Sequence, residues 1–147
     1  MLVPLETARG RLAVVWFGGS AIFFIVLVLQ SLGGVFGNQL DKAWAWALPN
    51  IAPTLSLMIS VFAAYALMTQ SEEDKMKVRR TFLQLAFGLS IFYMVNLVLV
   101  VSIAPFTAGN GIGVHPVDVM HVSNFWLGPL QGLTAAALAA LFFTKGN

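Results

Sequence analysis

The charged residues of this chain fall into a few short clusters with long uncharged runs between them, and this spacing constrains the fold more than any motif does. Eight basic and six acidic side chains serve 147 residues, so that 10% are charged and 59% hydrophobic, whereas a soluble domain carries about 25% charged residues. That is too little charge to coat a globule in water. The uncharged runs exceed the roughly 20 residues that a membrane-crossing helix needs. The sequence therefore predicts an all-α, polytopic membrane protein: a four-transmembrane-helix bundle with both termini on the cytoplasmic side, forming a single membrane domain over residues 1–147.

The first span is placed at about 12–35, since nothing from Leu12 to Val35 is charged. Arg9 and Arg11 precede it as in a secretory signal, but the run is too long for a signal-peptide core, and we read it as a retained span. Gly33, Gly34, Gly37 and Asn38 are stop signals. Asp41 and Lys42 then mark a polar loop on the far side. The second uncharged stretch, Ala43 to Gln70, carries Pro49 and Pro53 near its start, and the helix is expected to break there. Its span is placed at about 53–69, with Trp44 and Trp46 as an interfacial aromatic anchor.

SEEDKMKVRR, residues 71–80, is the most highly charged segment. Ser71 followed by Glu72, Glu73 and Asp74 resembles a helix N-terminus complemented by negative charge, so a helix is expected to start near Lys75 or Val78. Its span, about 80–103, ends before Pro105, and the glycine-rich TAGNGIG from Thr107 follows as a turn. The last span is placed at about 125–143, roughly 28 Å at 1.5 Å per residue, with Ser123 or Asn124 as its cap and Trp126 at its outer interface. Arg9, Arg11, Lys75, Lys77, Arg79, Arg80 and Lys145, seven of the eight basic residues, then share one face. The positive-inside rule makes that face cytoplasmic. The loops at Asn38–Lys42 and Thr107–Val114 are external, and a bacterial cytoplasmic (inner) membrane suits this arrangement.

The residues that could carry function are polar or small side chains inside these apolar runs. His121, Asn124, Gly128, Gln131 and Ala135 fall within about 80° at 100° per residue, a stripe that needs polar company. It either binds helices together or lines a pore. Gly128, Gly132, Ala136 and Ala140 recur every four residues, a small-xxx-small pattern for close helix approach, and Pro129 between them frees the carbonyl of Phe125. In the first span Gly19, Phe23, Val26, Gln30, Gly33 and Gly37 lie near one face. Gln30 is expected to hydrogen-bond across the bundle, with Asn50, Thr54 or Gln131 at a compatible depth. Asn96 reads as a structural hydrogen-bonding residue.

His115, Asp118 and His121 form an external polar cluster that suits capping and solvation. A third or fourth metal ligand is missing and the spacing fits a single-chain zinc site poorly, so no metal is expected. With no cysteine in the chain, disulfides and thiolate sites are excluded. Haem ligation would need ligands on facing helices, so no cofactor is expected. No nucleophile, base and acid share a depth, no carboxylate pair is embedded in the membrane, and an enzyme is not expected. The net charge of +2 comes from basic residues beside apolar spans, where they meet lipid headgroups, so no nucleic-acid partner is expected.

The lipid bilayer is the first partner implied. Glycine-rich faces on the first and last helices also predict a homo-oligomer. Two functions follow as expectations: a channel or membrane effector that forms or gates a permeation path or perturbs membrane integrity, or an accessory or scaffold subunit of a larger membrane complex. In the second case a protein partner would dock on the cytoplasmic loop of Glu72, Glu73, Asp74, Lys75, Lys77, Arg79 and Arg80.

Overall fold

A computed structural model of the chain describes residues 2–66, 77–108 and 114–143. Its elements are β1 (Leu2–Pro4), α1 (Leu5–Leu32), a 3-10 turn (Gly37–Gln39), α2 (Leu40–Ala66), β2 (Lys77–Arg79), α3 (Arg80–Ala108) and α4 (Pro116–Phe143). Three helical segments, Leu5–Leu32, Gly37–Ala63 and Arg80–Thr107, are long and apolar enough to cross a membrane. Their outward faces keep large apolar side chains such as Leu32 at 81% and Phe106 at 74% exposure. In water such faces would be aggregation surfaces. Against hydrocarbon they are at home, because backbone polar groups are satisfied inside each helix.

β1 pairs antiparallel with β2 in the register Leu2↔Arg79, Val3↔Val78 and Pro4↔Lys77. The two strands lead directly into α1 and α3, so those helices start at the same end of the bundle and run parallel. α3 packs on α1 and α4, and α2 closes the ring against α4 and α1. Trp16, Phe23, Trp46, Tyr93, Leu97 and Met120 fill the centre. α1 approaches α3 closely at Gly19, where a Cβ would lie 3.0 Å from the Met94 sulfur.

Several expected boundaries shift, for identifiable reasons. α1 stops where Gly34 and Gly37 take φ of 70° and 51°, and Val35 N–H donates back to the Gln30 carbonyl at 3.1 Å. α2 runs unbroken from Leu40 through Pro49 and Pro53, and α3 continues past Pro105 to Ala108. The proline rule used on the sequence holds for helices in water. Inside a bundle, neighbouring helices can supply donors to the carbonyls that prolines free.

α4 starts at Pro116 rather than near Phe125, and its cap is His115. The His115 side chain accepts from Val117 N–H at 3.3 Å through Nδ1, while Asp118 Oδ2 accepts from His115 N–H at 3.3 Å. This is a reciprocal capping box with proline at the first helical position. Ser123 and Asn124, expected as caps, instead lie within the helix, and the Ser123 hydroxyl donates to the Met120 carbonyl at 2.6 Å. Residues 77–79 form a strand where a helix start was expected, because β1 offers them a pairing edge. The acidic helix-start signal at Ser71, Glu72, Glu73 and Asp74, with Lys75, lies outside the described residues, as do most of the external glycine-rich turn and Lys145.

Candidate functional site

Polar side chains inside the bundle form one assembly that touches all four helices. The Trp16 indole N–H of α1 donates to Ser90 Oγ of α3 at 3.1 Å. The same indole stacks on Tyr93 at 5.6 Å between ring centroids. The Tyr93 hydroxyl crosses the bundle to α2, donating to the Asn50 carbonyl at 2.6 Å, while the Asn50 side-chain amide donates to the Trp46 carbonyl at 2.7 Å. Gln131 of α4 completes the set by donating to the Pro49 carbonyl at 3.0 Å.

Two side-chain bonds between helices, that of Gln131 and one made by Gln30, follow a single rule. A proline at position i leaves the carbonyl at i−4 without its helical donor. Pro53 thereby frees the carbonyl of Pro49, and Gln131 is the side chain that reaches it. Pro105 frees the carbonyl of Val101, and Gln30 Nε2 of α1 donates to it at 2.8 Å. Gln30 does bond across the bundle, but to a backbone carbonyl of α3 rather than to Asn50, Thr54 or Gln131. Asn96 donates within its own helix, to the Phe92 carbonyl at 2.8 Å.

The polar stripe of α4 is divided by this packing. Gln131 turns towards α2, and Gly128, Gly132 and Ala135 line a cavity of about 360 Å³ between α4 and Pro53, Thr54 and Leu57 of α2. His121 and Asn124 are exposed on the outside of the bundle. Gly128 and Gly132 are exposed too, and a Cβ at either would meet nothing within 4 Å. At Gly128 and Gly132, therefore, the small-xxx-small pattern makes no close helix contact inside one copy. Pro129 lies on the same outer side as the exposed Phe125, whose carbonyl it frees. Among the described residues no group of three or more His, Asp or Glu could hold a metal ion, and His115 and Asp118 are engaged in the capping box.

Arg9, Arg11, Arg79 and Arg80 lie at the end of the bundle where β1 pairs with β2. Arg9 is buried, while Arg11, Arg79 and Arg80 are exposed. Sequence reasoning missed Trp16, Ser90 and Tyr93, and named Asn50 only as a candidate partner of Gln30. A signal was present in Tyr93, a hydroxyl in mid-span within an apolar run, which needs a buried acceptor.

The architecture defines a helical bundle with segments suited to crossing a membrane. Comparison with protein families, with curated proteins and with solved structures finds no match.

Proposed function

We propose that this chain is a non-enzymatic integral membrane protein whose four helices all cross the bilayer, with both ends cytoplasmic, and which self-associates through the outer face of α4. The assembled copies form or gate a permeation path or perturb membrane integrity. The observation that carries this reading is the open side of α4: a Cβ at Gly128 or Gly132 would meet nothing within 4 Å, on the groove they share with α2, and His121 and Asn124 nearby are exposed. Polar side chains facing hydrocarbon lose their hydrogen bonds. A second copy would cover them and fill the ridge.

A path for solutes would run between copies, since Trp16, Trp46, Tyr93 and Phe23 occupy the centre of each one. The bacterial cytoplasmic membrane remains the compartment that best suits the basic end. The alternative, an accessory subunit, draws support from the basic residues clustered at one end.

The absence of native cysteine makes single-cysteine crosslinking a clean test of the interface. Gly132→Cys is expected to form disulfide-linked dimers in liposomes, while Leu99→Cys on the outer face of α3 does not. Gly128→Leu combined with Gly132→Leu is expected to weaken self-association by about tenfold, from close-packing lost at a small-residue interface. Equal crosslinking at both cysteines would remove the α4 interface. Proteoliposomes that stay impermeable to ions and dyes under varied pH and voltage would remove the pore, and a stoichiometric second protein in mild detergent would favour the accessory subunit.

A further inference from the structure

We propose that the cleft between β1, α1 and α3 at the basic end binds the phosphate headgroup of an anionic phospholipid, with an acyl chain lying in the groove that continues from it along α1. The cleft measures about 390 Å³, and Arg11, Arg80 and Gln84 supply its polar lining above Leu83 and Phe87. Pockets of this size hold small ligands. The Arg11 guanidinium and the Gln84 amide offer donors that phosphate oxygens accept, and Arg80 adds positive charge beside them.

None of the described residues lining the cleft is acidic. Glu6 precedes Arg11 by five residues, about 140° round α1, and is not among them.

The second observation concerns the tail. A cavity of about 290 Å³, lined by Gly10, Arg11, Val14, Val15 and Phe87, shares Arg11 and Phe87 with the cleft. Its lining is otherwise apolar, and Val14 and Val15 lie one turn further into the span. A Cβ at Gly10 would meet nothing within 4 Å, which leaves this groove open from the side. Cations above an apolar groove match an amphiphile with a charged head. A free phosphate would use only the upper part. Anionic lipids gather where basic residues meet the membrane, so the site is placed where its ligand is concentrated. The inference rests on the membrane reading and on the basic end, and it stands whether or not assembled copies conduct.

The test uses the full chain in neutral detergent, with bound ligand counted by native mass spectrometry. The probes are dioleoyl phosphatidylglycerol, dioleoyl phosphatidylcholine and glycerol phosphate. Phosphatidylglycerol is expected to bind at least tenfold more tightly than either of the others. Arg11→Gln with Arg80→Gln is expected to remove that preference, while Arg79→Gln, outside the cleft, leaves it within twofold. Val14→Trp, which fills the groove without changing charge, is expected to weaken phosphatidylglycerol about fivefold.

Should the double arginine variant not fold, Gln84→Glu puts a carboxylate into the cleft at an exposed helical position and is expected to give the same loss. Equal binding of the two lipids, or unchanged affinity in Gln84→Glu, overturns the site. A loss in Arg79→Gln as large as in the cleft variants means diffuse attraction and also overturns it. Glycerol phosphate bound as tightly as the lipid makes it a soluble-anion site instead.

Discussion

Trp16→Ala is expected to destabilise the protein by about 3 kcal/mol, the lower end of the range for removing a large aromatic side chain from a core. Trp16 is completely buried, stacks on Tyr93 and donates to Ser90, so alanine removes packing, a ring contact and a hydrogen bond together. The lower end applies because helices already inserted in lipid gain little from the hydrophobic effect when they associate. Packing and polar contacts then drive assembly. Trp16→Phe keeps most of the ring but loses the indole N–H, and a cost of about 1 kcal/mol is expected, within the range of hydrogen bonds in membrane bundles. Reversible unfolding in mixed micelles reads both values. If Trp16→Ala cost no more than Leu99→Ala, at an exposed position of α3, the assembly around Tyr93 would not be the centre of the fold.

The number of long helices and the rough position of each were legible because clustered charges divide the sequence into long uncharged runs. Four uncharged runs became four long helices, three of them apolar enough to cross a membrane. The ends were less legible. Pro49, Pro53 and Pro105 read as breaks by a rule for isolated helices, yet each lies inside a continuous helix. For Pro53 and Pro105 the compensating donor, Gln131 or Gln30, sits on a distant stretch of chain. His115 and Asp118 were read as suited to capping, but a distal start at Phe125 hid the helix they cap. The strand pair was invisible because three residues on each side carry no periodicity.

The candidate sites follow the same division. Gln30 and Gln131 were legible as residues needing partners inside the membrane, because an amide in hydrocarbon is costly. Their acceptors were not legible, since each is a backbone carbonyl selected by a proline on another helix. The ridge of α4 was legible as a four-residue repeat, though only packing shows that one copy leaves it open at Gly128 and Gly132. The cleft at Arg11 and Arg80 depends on the fold-back of residues 2–4 onto 77–79, which no local pattern announces.

Pairing of glutamine with proline leads to the second large effect. Gln30→Leu is expected to cost about 1.5 kcal/mol, because the Val101 carbonyl then has neither its helical donor nor its side-chain donor. Pro105→Ala restores an N–H at position 105 that can reach the Val101 carbonyl along the helix, so the same Gln30→Leu change made in that background is expected to cost less than about 0.5 kcal/mol. The coupling of about 1 kcal/mol in this double-mutant cycle is the quantity to measure. A parallel cycle of Gln131→Leu with Pro53→Ala tests the rule at the Pro49 carbonyl. Additive costs in both cycles would mean that the glutamines act through packing alone. Coupling in both would mean that these two proline sites are pinned by hydrogen bonds to neighbouring helices and are poor hinges. A hinge in the bundle would then fall to Pro49 of α2 or to Pro129 of α4, the latter beside the exposed Phe125 where a second copy would pack.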